Sequence, residues 1–122
     1  MLRVTRDGQI TVLRAFGNIV PTGLDVRGRT IYLAEAGPVP HRPENGKVVA
    51  FQPNSPAVRD VAAGSRLLVD VEFGRAHRLY ALSQGDFPLG GPEGSPARPD
   101  TGALVKVNRD GHFTTVVARS GA

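Results

Sequence analysis

Three observations predict an all-β chain. Period-two alternation of β-branched, aromatic and polar residues recurs in ten short runs bounded by Gly, Pro, Asn or Asp. No segment carries the 3.6-residue periodicity of an amphipathic helix. One strand–turn–strand motif also occurs three times. It reads Val4-Thr5-Arg6-Asp7-Gly8-Gln9-Ile10-Thr11-Val12-Leu13 near the N-terminus and Val107-Asn108-Arg109-Asp110-Gly111-His112-Phe113-Thr114-Thr115-Val116 near the C-terminus. A looser copy, Val49-Ala50-Phe51-Gln52-Pro53-Asn54-Ser55-Pro56-Ala57-Val58, lies between them.

In chain order the predicted strands are 2–6, 9–16, 22–27, 30–36, 47–52, 57–63, 67–73, 78–84, 103–108 and 112–118. The pairs Asp7-Gly8 and Asp110-Gly111 predict tight hairpin turns, because Gly accepts a positive φ without steric cost. Fifteen Gly and ten Pro fall between the apolar runs, so they mark turns and not disorder.

The repeat has a measurable period. Tyr32-Leu33-Ala34-Glu35-Ala36-Gly37 matches Tyr80-Ala81-Leu82-Ser83-Gln84-Gly85 at a spacing of 48, Val4 matches Phe51 at 47, and Phe51 matches Val107 at 56. The extra length of the last interval falls in the Gly/Pro-rich stretch 86–101. Four antiparallel strands in about 40–50 residues describe one blade of a β-propeller. Residues 1–18 then supply the outer strands of one blade, 19–63 a full blade, and 64–119 a second full blade with the long 86–101 loop. About two and a half blades make an incomplete propeller, since closed rings have about 4–8 blades. A Greek-key sandwich is the alternative arrangement of ten strands. An open ring predicts exposure of Val4, Ile10, Val105 and Val107 at the terminal surfaces, and self-association through the open blade faces.

Composition bounds the function. The chain of 122 residues has room for one compact domain or for part of a larger one, and its 40% hydrophobic content is that of an ordinary folded chain. Cysteine is absent, which excludes disulfides and Cys-based metal centres. The net charge of +4 comes from arginines scattered singly among acids, with no basic run and no aromatic-plus-basic groove, so nucleic acid is not expected as a partner. No apolar run reaches the ~20 residues of a membrane span, and no apolar h-region marks a signal peptide at the N-terminus.

Three segments carry a family resemblance: Pro21-Thr22-Gly23-Leu24-Asp25-Val26 with Thr30 to Gly37; Leu67-Leu68-Val69-Asp70-Val71-Glu72-Phe73-Gly74; and Leu79 to Gly85 with Gly91-Pro92-Glu93-Gly94-Ser95-Pro96-Ala97. Together they resemble the ScyD/ScyE family, named from cyanobacterial scytonemin gene clusters and widespread in other bacteria. The resemblance spans nearly the whole chain and implies an NHL-like six-bladed β-propeller fold. Family members are roughly three times longer and often exported. The resemblance implies no catalytic motif.

Two sets of residues are candidates for chemistry. Alternation puts Leu68, Asp70 and Glu72 on one side of their strand and Val69, Val71 and Phe73 on the other. On an innermost strand, Asp70 and Glu72 would be buried, and with Asp25 they offer oxygen ligands suited to a divalent cation such as Ca²⁺. The competing reading is structural, with Arg66, Arg75, Arg78 or backbone amides neutralising the carboxylates. The second set is Glu35, His41, Glu44, Asp86 and Glu93, which blade topology crowds onto the rim carrying both long loops. Long Pro-rich loops on a rigid scaffold commonly bind something. Neither a phosphate-binding Gly-Lys-Ser/Thr loop nor a Gly-x-Ser-x-Gly nucleophile is present. Two functions follow: a propeller-type module binding a small molecule, glycan or protein on the loop-rich face, or a metal-dependent hydrolase or lactonase of the six-bladed type.

Overall fold

A computed structural model describes residues 1–39, 42–64, 67–88, 92 and 94–118. Within them ten strands form, in order β1 (Leu2–Val4), β2 (Ile10–Val12), β3 (Pro21–Arg27), β4 (Thr30–Glu35), β5 (Lys47–Phe51), β6 (Val58–Ala63), β7 (Leu68–Phe73), β8 (Leu79–Ser83), β9 (Ala103–Val107) and β10 (Phe113–Ala118). The only helical segments among the described residues are single 3₁₀ turns at Pro43–Asn45 and Arg75–His77. The strands make three antiparallel sheets: the hairpin β1–β2, the meander β3-β4-β5-β6 and the meander β7-β8-β9-β10. Each four-stranded sheet follows chain order without a crossover, so the arrangement is propeller-like and not a Greek-key sandwich. The sheets do not close on themselves.

Strand register makes the repeat literal. Tyr32 pairs with Asp25 and Ala50, and Tyr80 pairs with Glu72 and Lys106, as the 48-residue match predicts. Both blades have a register shift early in the first strand, between Pro21 and Gly23 and between Leu68 and Asp70. Both have another in the last two strands, where Val48 and Val49 face Ala62 and Asp60, and where Val117 and Thr115 face Leu104 and Val105. Bulges of this kind add local twist, which fans a blade outward.

The outer hairpins also agree. The Gly8 amide donates to the Thr5 carbonyl at 3.0 Å, and the Gly111 amide donates to that of Asn108 at 3.1 Å. The two glycines have φ of 85° and 88°, the left-handed conformation that turn requires. In the middle copy, the Ser55 amide donates to the Gln52 carbonyl at 3.2 Å.

Two apolar clusters form the core. The larger is the seam between blades: Ala34, Val48 and Ala62 of the first pack against Leu68, Val71, Leu79, Ala81, Ala103, Val105 and Val107 of the second. The smaller covers the other face of the first blade, where Met1, Leu13, Phe16 and Ile19 lie over Ile31, Leu33, Val49 and Phe51. This second cluster explains why β2 stops at Val12 when 9–16 is expected. Beyond Val12 the chain turns its apolar residues onto the first blade, and the Arg14 guanidinium sits 4.6 Å over the Phe51 ring while donating to the Ser55 carbonyl.

The expected terminal exposure is half right. Val4 and Ile10 are exposed, but Val105 and Val107 are buried, because they face back onto the first blade. The bare apolar residues of the second blade are Leu82, Leu104 and Val117 on its other side, with Val116 at the bulge.

Candidate functional site

The seam is stitched by polar contacts on the inner strands. β7 lies against both β3 and β4. The Thr22 hydroxyl donates to the Leu68 carbonyl at 3.0 Å, and the Asp25 carboxylate accepts from the Phe73 amide at 2.8 Å and from its neighbour Val26 at 2.8 Å. Gly23 lets the strands come this close: a Cβ there would stand 2.9 Å from the Asp70 Cα.

Burial of Asp70 and Glu72 is not observed. Both side chains are exposed, although the Asp70 carboxylate lies beside Gly23 of the first blade. β7 is the first strand of its blade, but no sheet covers the two acids, so water solvates them. Asp70 accepts from the Val71 amide at 2.8 Å. Asp25 is spent on two backbone amides. Among the described residues no three His, Asp or Glu side chains converge to hold a metal ion, so Asp25, Asp70 and Glu72 are not gathered into one cluster.

The rim residues are placed as follows. Residues 13–20 and 36–39 do share one end of the blades, since Asn18 exchanges hydrogen bonds with the Val39 backbone at 2.8 and 3.0 Å. Likewise the Gln84 amide donates to the Leu67 carbonyl at 3.0 Å. Glu35 is buried at the end of β4, opposite Lys47. Burial pushes its carboxyl above the usual range, the Lys47 ammonium pulls the other way, and Asp60 adds to the rise. Lys47 itself pairs with Asp60 at 3.1 Å. Glu44 is exposed in its 3₁₀ turn. Asp86 is exposed at the base of the long loop, where its amide donates to the Thr101 hydroxyl oxygen at 2.8 Å. His41 and Glu93 lie outside the described residues.

At the opposite end of the seam a cleft of about 600 Å³ opens between the blades. Arg27, Arg59, Arg78, Lys106 and Arg109 line it, with His77, and among the described residues the one carboxylate on its wall is Asp60, already held by Lys47. Its floor holds Tyr32 and Phe73, edge to face with centroids 4.9 Å apart. Arg59 lies 5.9 Å from the Tyr32 centroid and Arg27 lies 5.6 Å from that of Phe73, so each ring carries a guanidinium. Arg27 also reaches the His77 carbonyl at 3.5 Å. That carbonyl belongs to a turn in which Ala76 and His77 hold φ of 55° and 60°, a region side-chain-bearing residues seldom occupy.

Five cations around one cleft repel each other and raise the local concentration of counter-ions. Guanidinium groups also present paired donors that match phosphate, sulfate or carboxylate oxygens. Sequence reading alone overlooks this site, because the five cations are far apart in the chain. A usable signal exists in the topology: Arg27 ends a first strand, Arg78 follows the adjoining turn, Arg59 begins a fourth strand, and Lys106 and Arg109 flank a third-to-fourth turn. All are positions at one end of the blades.

Comparison with known proteins finds no matching family model, no matching curated protein and no matching solved structure. What is defined at this point is a class: an open, propeller-like all-β chain with a cationic cleft in its seam. Among the described residues no helix is long and apolar enough to cross a membrane.

Proposed function

We propose that this chain is a propeller-type binding module, and that its ligand is an anion seated in the inter-blade cleft. The observation that carries this reading is the charge balance of the cleft walls, five permanent cations against one carboxylate that is committed elsewhere. The ligand chemistry that fits is two or more phosphate, sulfate or carboxylate groups on one small molecule or glycan. Arg27 and Arg59, fixed over their rings, give the ligand preset donors, while Lys106 and Arg109 supply charge from the facing wall. The family resemblance in the sequence is in keeping with a binding module, and ScyD/ScyE membership is part of the same proposal.

Calorimetric titration with inorganic pyrophosphate and with citrate tests it. Binding that weakens as salt rises is expected, with Arg59→Gln and Arg109→Gln each weakening it about tenfold, the worth of one charge-assisted contact. Arg6→Gln, on the remote β1–β2 turn, serves as the control and should bind as the parent does. Absence of binding for both anions, or cleft variants that bind like the parent, would overturn the reading.

A further inference from the structure

The seam inside the chain has two unlike faces, and the chain exposes a second example of each. On the first blade the forward face carries the cross-strand row Gly23, Ala34, Val48 and Ala62, and the second blade covers it. The register-equivalent row on the second blade is Asp70, Leu82, Leu104 and Val117. Its three apolar members are 46%, 37% and 62% exposed. Leu82 and Leu104 border a shallow hollow of about 420 Å³ that also reaches Asp70, Glu72 and Tyr80.

The opposite face is exposed at the N-terminal hairpin. Leu2 pairs with Val12 and Val4 with Ile10, which puts all four on one side, and each is more than three-fifths exposed. The hairpin shares its turn with β9–β10, so Leu2, Val4 and Ile10 correspond to Val105, Val107 and Phe113. In the second blade those three residues pack on the row Ala34, Val48 and Ala62.

We propose that the exposed row on the second blade receives the β1–β2 hairpin of a second copy of this chain. The contact repeats, between molecules, the packing that joins the two blades within one molecule. It joins one end of each copy to the other end of the next, so it generates a closed ring, of two copies or more, or an open series. Apolar faces of this kind left bare are unusual on a monomer. The proposal is independent of the cleft, which lies within a single chain.

Light scattering with engineered ends tests it. The parent should show a mass that rises with concentration above the 12.9 kDa of one chain. Val4→Lys with Ile10→Lys removes one end, and Leu104→Lys with Val117→Lys removes the other. Each double variant alone should remain at 12.9 kDa. Mixed in equal amounts, they should form a dimer and nothing larger, because one good contact survives per pair. Circular dichroism checks that the β-structure is kept, and Val4→Gln with Leu104→Gln as milder substitutions repeat the test if it is not. A parent that stays monomeric, a double variant that still assembles, or a mixture without dimer would each overturn the proposal.

Discussion

The two blades hold four strands in the same order and register, with irregularities at corresponding places, yet their forward faces have opposite fates. On the first blade that face is Gly23, Ala34, Val48 and Ala62, small residues closed over by the next sheet. On the second it is Asp70, Leu82, Leu104 and Val117, larger or charged and open to water. The backbone of a blade is thus set by its own turns and bulges, whereas burial is set by the neighbour. Small residues let two sheets approach closely at the seam. Bulky and ionised ones are tolerated where no sheet has arrived.

Substitutions at equivalent positions break this comparison if it is wrong. Val48 and Leu104 occupy the same place in their blades, so truncating both to Ala should give unequal losses in urea melts. Val48→Ala removes two buried methyl groups and leaves a gap, for a loss of about 2.5 kcal/mol. Leu104→Ala, largely in solvent, should cost about 0.5 kcal/mol or less. Equal losses would mean that the second blade's face is covered in solution.

A slightly smaller effect is expected at Gly23. Its Cβ would meet the Asp70 carboxylate and, behind it at 2.9 Å, the Asp70 Cα, so turning the side chain away does not clear the space and Gly23→Ala should force β3 and β7 apart. The overpacking cost is about 2 kcal/mol. Ala at Gly28, where nothing stands within 4 Å, is the control for space, though its φ of +60° adds backbone strain. Comparing the two by thermal melts against that strain alone separates crowding from conformation.

The smallest effect is at Glu35. Its carboxyl binds a proton more tightly in the folded chain than in the unfolded one, because burial disfavours the charge. A raised folded-state value makes stability fall as pH rises from below its ordinary value of 4.5 through the raised one. Glu35→Gln should therefore be more stable than the parent at pH 7, by less than either loss above, and the advantage should vanish as pH drops below 4.5. An advantage that persists in acid would locate the cause outside this titration.

Much of the blade pattern was legible in the sequence, because strand alternation and Asp-Gly turns are local. The match of Tyr32 to Tyr80 and of Val4 to Phe51 and Val107 reproduces the observed register. The second strand was overextended, since Leu13 and Phe16 alternate as a strand would but are recruited by a distant face. Asp70 and Glu72 do lie on the first strand of a blade, but burial was inferred from position alone, and burial needs a neighbour. The cleft was the hardest part. Arg27, Arg59, Arg78, Lys106 and Arg109 look like scattered surface charge until topology brings their strand ends together.

The central claim is that the seam carries the ligand site at the end away from the long loops. Amide chemical-shift mapping during a pyrophosphate titration tests it most directly. The account predicts changes concentrated at Arg27, Arg59, Ala76 to Leu79 and Lys106 to Arg109, saturating together, with the 36–39 and 84–88 backbone unmoved. Changes centred on those loop residues, or none at saturating pyrophosphate, would contradict it.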